Sequence, residues 1–231
     1  MFFFDLSVKI KNHFTGYGDM ILSVEAISDL TWGKYALSKN FSSIRMSEEF
    51  KKEIIENSYN CGREQALFLQ KRFGRVSLRE YFDRFSLKLF EGKASCFIDN
   101  QFYLAQFKPP NLVTIYPDNI EKIKEIIFNH EEYTFLKNID LKESILAHEL
   151  FHYIESTEKL LYTTTIKVTL WNFFGFFYRS GLTAAGEIAA MSFTRELLSL
   201  PYNPFIYSFL LLCANDMNMG KNMIKKLLAF E

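Results

Sequence analysis

The chain has 231 residues, enough to bury a substantial core, and its 27 basic and 27 acidic side chains cancel. That balance argues against recruitment to nucleic acid or an acidic membrane by bulk charge, and no direct nucleic-acid binding is predicted. Cys61, Cys96 and Cys213 stand apart without CxxC spacing, which argues against a disulfide framework and suits a reducing compartment. The apolar start, residues 1–5, is too short for a signal peptide. The aromatic stretch 168–178 falls short of the about 20 residues that a membrane-spanning helix needs. The expectation is a cytoplasmic protein with no transmembrane segment.

In chain order, Ile21, Leu22, Val24, Ile27 and Leu30 recur at helical spacing and predict a helix within 20–37. Ser47, with Glu48 and Glu49 where acids favour the helix dipole, opens a second helix. Asn60, Cys61 and Gly62 predict an interruption, after which 63–73 is helical and Gly74 stops it. Ser77 and Glu80 form a capping-box pattern for a short helix through Arg84. Phe85, Leu87 and Leu89 then alternate with Ser86, Lys88 and Phe90, predicting a strand ended by Gly92. Residues 94–98 and 102–107 flank Asp99, Asn100 and Gln101 as a hairpin, Pro109 and Pro110 break the chain, and 112–116 is another β-rich run. Three or four mostly antiparallel strands are expected, because the connections are short for crossovers.

Helices follow. Asp118 and Glu121 mark one running to Phe128, and Asp140 with Glu143 opens the next. Thr183 is the expected cap of a helix ending near Leu200, before Pro201. Asn203 before Pro204 predicts a helix over 204–214, and the basic segment 221–230 predicts a last one. The pattern is that of an α+β protein.

His148 and His152, half of the four histidines present, lie one helical turn apart with Glu149 between them. Residues i and i+4 share a helix face, so both imidazoles can reach one metal ion, with Glu149 beside them as a base for water. A catalytic zinc takes three protein ligands, and Glu155, Glu158, Glu187 and Glu196 are the candidates for the third. Glu158 stands at the offset metzincins use, but Glu155 occupies the place where the chain would need glycine to turn back. Glu187 sits among Ala184, Ala185, Gly186, Ala189 and Ala190, small residues that let a second helix approach closely. Glu196 has the surroundings of a solvated face. Glu187 is preferred, with Glu158 left as the alternative.

These residues resemble the ImmA/IrrE-type metallopeptidases. Their His-Glu-x-x-His helix corresponds to His148, Glu149 and His152, and their Glu-x-x-Ala-x-x-Phe to Glu187, Ala190 and Phe193. Leu197, Leu198 and Pro201 complete the pattern, and a weaker likeness extends over 60–205. Thr194 departs from the family's usual alanine, one residue is inserted before Pro201, and the aromatic 156–182 has no counterpart. The resemblance implies a zincin-like fold, with a small, mostly antiparallel sheet packed on the active-site helix. It implies one metallopeptidase domain over 1–231, comprising a helical part at 1–75, a zincin core at 76–205 and a C-terminal helical segment at 206–231. It also implies one zinc ion on His148, His152 and Glu187, with Glu149 as catalytic base. The expected partner is a protein or peptide substrate, such as a helix-turn-helix transcriptional repressor cut at one site.

Tyr162, Tyr178 and Arg179 are open candidates for stabilising the oxyanion of such a reaction. Residues 112–116 are the expected edge strand for pairing with an extended substrate. The stretch 168–178 is expected to pack on the body, with a lid, an interfacial membrane patch or a partner surface as alternatives. The competing function is a zinc-containing regulatory protein that docks a partner without proteolysis. Glu149 weighs against it, since a structural site has no use for a base.

Overall fold

The computed structural model describes Val24 and residues 26–92, 96–98, 101–173 and 176–231. Residues 20–23 and 25 of the predicted first helix lie outside the described residues, and 26–28 are not helical. The helix there, α1 (Asp29–Ser38), begins where the Ser28 hydroxyl accepts the Thr31 N–H at 3.1 Å. A short 3₁₀ turn at Phe41–Arg45 follows, and then α2 (Glu48–Phe73), capped by Ser47 and stopped by Gly74 at φ 79°. The expected interruption at Gly62 does not occur. A Cβ there would lie 2.0 Å from the Ala189 carbonyl oxygen, so Gly62 is the point of contact with another helix. The cost of an interior glycine, about 1 kcal/mol, is accepted for that approach.

Ser77 and Glu80 make both bonds of the predicted capping box at the start of α3 (Leu78–Arg84). Phe85 caps that helix and Ser86 has φ 53°, so the strand expected from Phe85 begins later, as β1 (Lys88–Glu91). β2 (Cys96–Ile98) and β3 (Gln101–Tyr103) form an antiparallel hairpin, whose expected turn at Asp99 and Asn100 lies outside the described residues. The strand expected over 102–107 breaks at Leu104, leaving β4 (Ala105–Lys108) to pair antiparallel with β5 (Leu112–Ile115).

The main sheet has the order β1-β5-β4, and β1 runs parallel to β5 from Lys88↔Leu112 to Glu91↔Ile115. It is therefore mixed, where a mostly antiparallel sheet was expected. The hairpin and β4 lie between β1 and β5 in sequence and supply the long connection that a parallel pair needs. β5 is central, so the expectation that 112–116 forms an edge is corrected. The edge strands are β1 and β4.

α4 (Pro117–Asn129) starts at proline, whose fixed φ suits a first helical position, and not at the expected Asp118 cap. A short α5 (Thr134–Lys137) leads to α6 (Leu141–Thr157), where Asp140 accepts the Lys142 and Glu143 N–H groups as predicted. α7 (Tyr162–Thr165) precedes β6 (Lys167–Phe173) and β7 (Phe176–Gly181), so the aromatic stretch is an antiparallel hairpin. α8 (Thr183–Leu197) begins at Thr183 itself, whose hydroxyl donates to Asn40 Oδ1 at 3.1 Å rather than capping the helix. α9 (Ile206–Asn215) follows a turn in which Asn203 Oδ1 accepts the Phe205 N–H. α10 (Met217–Leu228) starts before the predicted 221 because Asp216 caps it.

α8 is the axis of the packing, with α2 along one side and α6 along another. β4 also packs against α6, and α1 covers part of α8. Phe151 of α6 and Phe193 of α8, both fully buried, meet with ring centroids 5.6 Å apart. On the α2 side, the Ser192 hydroxyl donates to the Tyr59 carbonyl at 2.6 Å and the Gln70 amide donates to the Leu197 carbonyl at 3.3 Å. Gly62→Ala is expected to destabilise the fold by about 2–3 kcal/mol, because the added methyl meets backbone that cannot rotate away. Urea unfolding followed by circular dichroism measures this, and an unchanged midpoint would contradict the contact.

Candidate metal centre

On α6 the apolar residues Ile145, Ala147, Leu150, Phe151 and Ile154 are buried, and this sets the helix rotation. His148 and His152 are left half-buried on the adjoining face, as their spacing predicted. α8 buries Ala185, Ile188, Ala189 and Ala190, and thereby presents Glu187 to the two imidazoles. His148 Nε2 lies 3.5 Å from Glu187 Oε2, and His152 Nε2 lies 3.5 Å from Glu187 Oε1. The two Nε2 atoms are 3.1 Å apart.

These distances bear on whether a metal fits. Ligand atoms about 2.0–2.1 Å from a tetrahedral ion stand roughly 3.3 Å from one another. The imidazole nitrogens and carboxylate oxygens already have nearly that spacing. Two imidazoles and a carboxylate are also a donor set that zinc accepts. Among the described residues, His148, His152 and Glu187 are the group whose ligand atoms all lie within 4.8 Å of one another.

The other acids separate cleanly. Glu155 Oε2 pairs with His152 Nδ1 at 3.2 Å, on the ring edge away from Glu187, so it orients the imidazole. Gly186 makes room for it, since a Cβ there would lie 2.7 Å from Glu155 Oε1. Glu158 is the exposed C-cap of α6, beyond the cluster. Glu196 lines a separate depression with Arg63 and Arg195.

Glu149 is only 5 % exposed. Burial pushes its carboxyl up, while His148, His152 and a hydrogen bond from the Phe107 N–H pull it down, leaving it above the usual carboxylate range. Partial desolvation at the wall of the cleft opposes ionisation of Glu187, yet hydrogen bonds from both imidazoles hold its carboxyl well below the usual range. For His152, burial disfavours the charged ring, but its bonds to Glu155 and Glu187 raise it well above the usual histidine value.

An open cleft of about 830 Å³ runs past all four residues, bounded by β4 on one side and by Lys39, Asn40 and Thr183 on another. A recess of about 140 Å³ shares His148, Glu149 and Glu187 with it. Half of the Glu187 side chain is open to this space, at 50 % exposure. Burial in the cleft lowers the Lys39 ammonium against the pull of Glu187.

Tyr162 hydrogen-bonds Asn57 and does not line the cleft, so it is not placed to stabilise an oxyanion. The side chains of Tyr178 and Arg179 lie outside the described residues. Sequence reasoning missed the orienting role of Glu155, although its i+3 spacing from His152 is a usable signal. It also missed the Phe107 N–H, Lys39 and the recess, which depend on strand order and helix packing. The chain matches no family model, no curated protein and no solved structure.

In the metal-free protein, the His152 imidazole is expected to titrate above 6.5. Glu155→Gln and Glu187→Gln should each lower the midpoint, because each removes a bond to the charged ring. Histidine-labelled NMR titration reads this directly, and a midpoint unmoved by both substitutions would contradict the assignment.

Proposed function

We propose that this chain is a zinc-dependent endopeptidase similar to the ImmA/IrrE-type metallopeptidases. The observation that carries this reading is the convergence of His148, His152 and Glu187 from two helices, with a buried carboxylate, Glu149, beside them. The three ligand side chains would hold one zinc ion. The chemistry such an ion supplies when bound is Lewis acidity toward water and toward a carbonyl group.

The remaining work falls to the chain. Glu149 accepts the proton of the attacking water and returns it to the leaving amine, so one carboxyl serves as base and then acid. Burial suits it to this exchange by bringing its proton affinity nearer that of its partners. The Phe107 N–H of β4 favours the charged form of this carboxylate.

β4 supplies the register for the substrate. Leu104 turns its carbonyl toward β5, accepting the Tyr116 N–H at 2.9 Å, whereas Phe107 turns its N–H toward Glu149. Backbone polar groups alternate in direction along a strand, so those of Ala105 also face the cleft. An extended peptide adding to this edge would carry its scissile bond past Glu149. A protein substrate such as a transcriptional repressor, met in the cytoplasm, fits this mode if it offers an unfolded loop.

The docking-only alternative predicts that the base is dispensable. Glu149→Gln should retain one zinc per chain while lowering peptide hydrolysis by at least about 100-fold, the usual scale of a lost general base. Glu187→Ala should lose zinc, and Glu158→Ala should keep it. Elemental analysis with a cleavage assay on the same preparations checks these outcomes. Full activity in Glu149→Gln, or zinc lost from Glu158→Ala and kept by Glu187→Ala, would contradict the proposal.

A further inference from the structure

The faces of α6 and α8 that carry the ligands continue past them. Ser144 and Ile145 lie one turn before His148, while Met191 and Thr194 lie one and two turns after Glu187. Together they wall the recess of about 140 Å³, which Tyr207 and Leu211 of α9 close at the far end. It opens at His148, Glu149 and Glu187, so whatever fills it lies directly beside the reacting bond.

The wall chemistry is neutral. Ile145, Leu211 and the partly buried Met191 supply apolar surface. Three of the lining hydroxyls are engaged within the protein: Thr194 donates to the Ala190 carbonyl, Ser144 to the Asp140 carbonyl, and Tyr207 pairs with Tyr202; Ser208 also lines the recess. Beyond the site's own residues the lining carries no charged group to meet a charged guest, and burying an unpaired charge is strongly unfavourable. A cavity of roughly 150 Å³ accepts a benzene-sized molecule. Leucine, methionine and phenylalanine side chains therefore fit, while an indole overfills the space.

We infer that this recess selects the substrate, by requiring an apolar side chain no larger than phenylalanine at one of the two positions flanking the scissile bond. Met191 and Leu211 set its depth. The inference rests on the peptidase reading above and assigns α9 a part in specificity. α9 contributes Tyr207, Ser208 and Leu211 to the lining, beside residues 102–105.

The test uses the full chain and two readouts. In the zinc-loaded protein, cleavage of a randomised peptide mixture, mapped by mass spectrometry, should favour Leu, Met and Phe at one flanking position. Trp and Asp there should be disfavoured at least about tenfold, since a single methylene in a pocket already discriminates by that much. Met191→Ala should raise cleavage beside Trp by about tenfold or more, and Leu211→Ala should do the same if Met191→Ala does not fold. In the metal-free protein, N-acetyl-leucinamide and N-acetyl-phenylalaninamide should shift the ¹³C-methyl resonance of Met191, and N-acetyl-aspartamide should not. Cleavage with one unchanged preference in all variants, or a methyl resonance that ignores the apolar amides, would overturn the inference and leave the peptidase reading intact. A methyl that responds while no peptide is cut would overturn the peptidase reading, and with it the recess's role in choosing a bond.

Discussion

The centre depends on how closely α8 can approach its neighbours. Two glycines control that distance. At Gly62 the missing Cβ leaves space for the Ala189 carbonyl, so α2 presses against α8. At Gly186 it leaves space for the Glu155 carboxylate, so the α6 acid that steers His152 can sit against the α8 backbone. Larger residues at either place would push α8 outward, and Glu187 would move away from the imidazoles with it. The alanines around Glu187 continue the same design, since they bury completely while adding little girth.

Charge completes what packing begins. Three carboxylates, Glu149, Glu155 and Glu187, surround two imidazoles within a few ångströms. Each acid has a separate place: Glu187 faces both Nε2 atoms, Glu155 holds the opposite nitrogen of His152, and Glu149 lies beside the Phe107 N–H. Without a cation, the bonds from Glu155 and Glu187 favour the charged form of the His152 ring. A divalent ion would displace a proton from that ring, which couples metal affinity to pH. The cleft and the recess both open at this cluster.

How much was legible in the sequence follows from how local each determinant is. Ser47, Ser77 and Asp140 cap helices through bonds that span only a few residues, and all three are seen in the structure. The His148/His152 pair is equally local, and burial of Ile145 and Leu150 turns it toward α8. Gly62 was misread because a helix-breaking glycine and a helix-crossing glycine look alike without the partner helix. The sheet order misled for a similar reason: nothing in 105–108 or 112–115 says which strand is inside, and that is decided by β1 pairing with β5 across a long connection. Asp118 lost to Pro117 because proline at a first helical position outweighs a capping pattern one residue later. The recess could not be read at all, since its end wall comes from α9, far along the chain.

Two histidines and one glutamate from two helices are proposed to hold one zinc ion. X-ray absorption at the zinc edge of the purified protein tests this most directly. The expected result is one zinc per chain, with two imidazole nitrogens and oxygen donors at about 2.0–2.1 Å and no sulfur. That signature should be lost in Glu187→Ala. Sulfur at about 2.3 Å, or a signature that survives Glu187→Ala unchanged, would contradict the proposal.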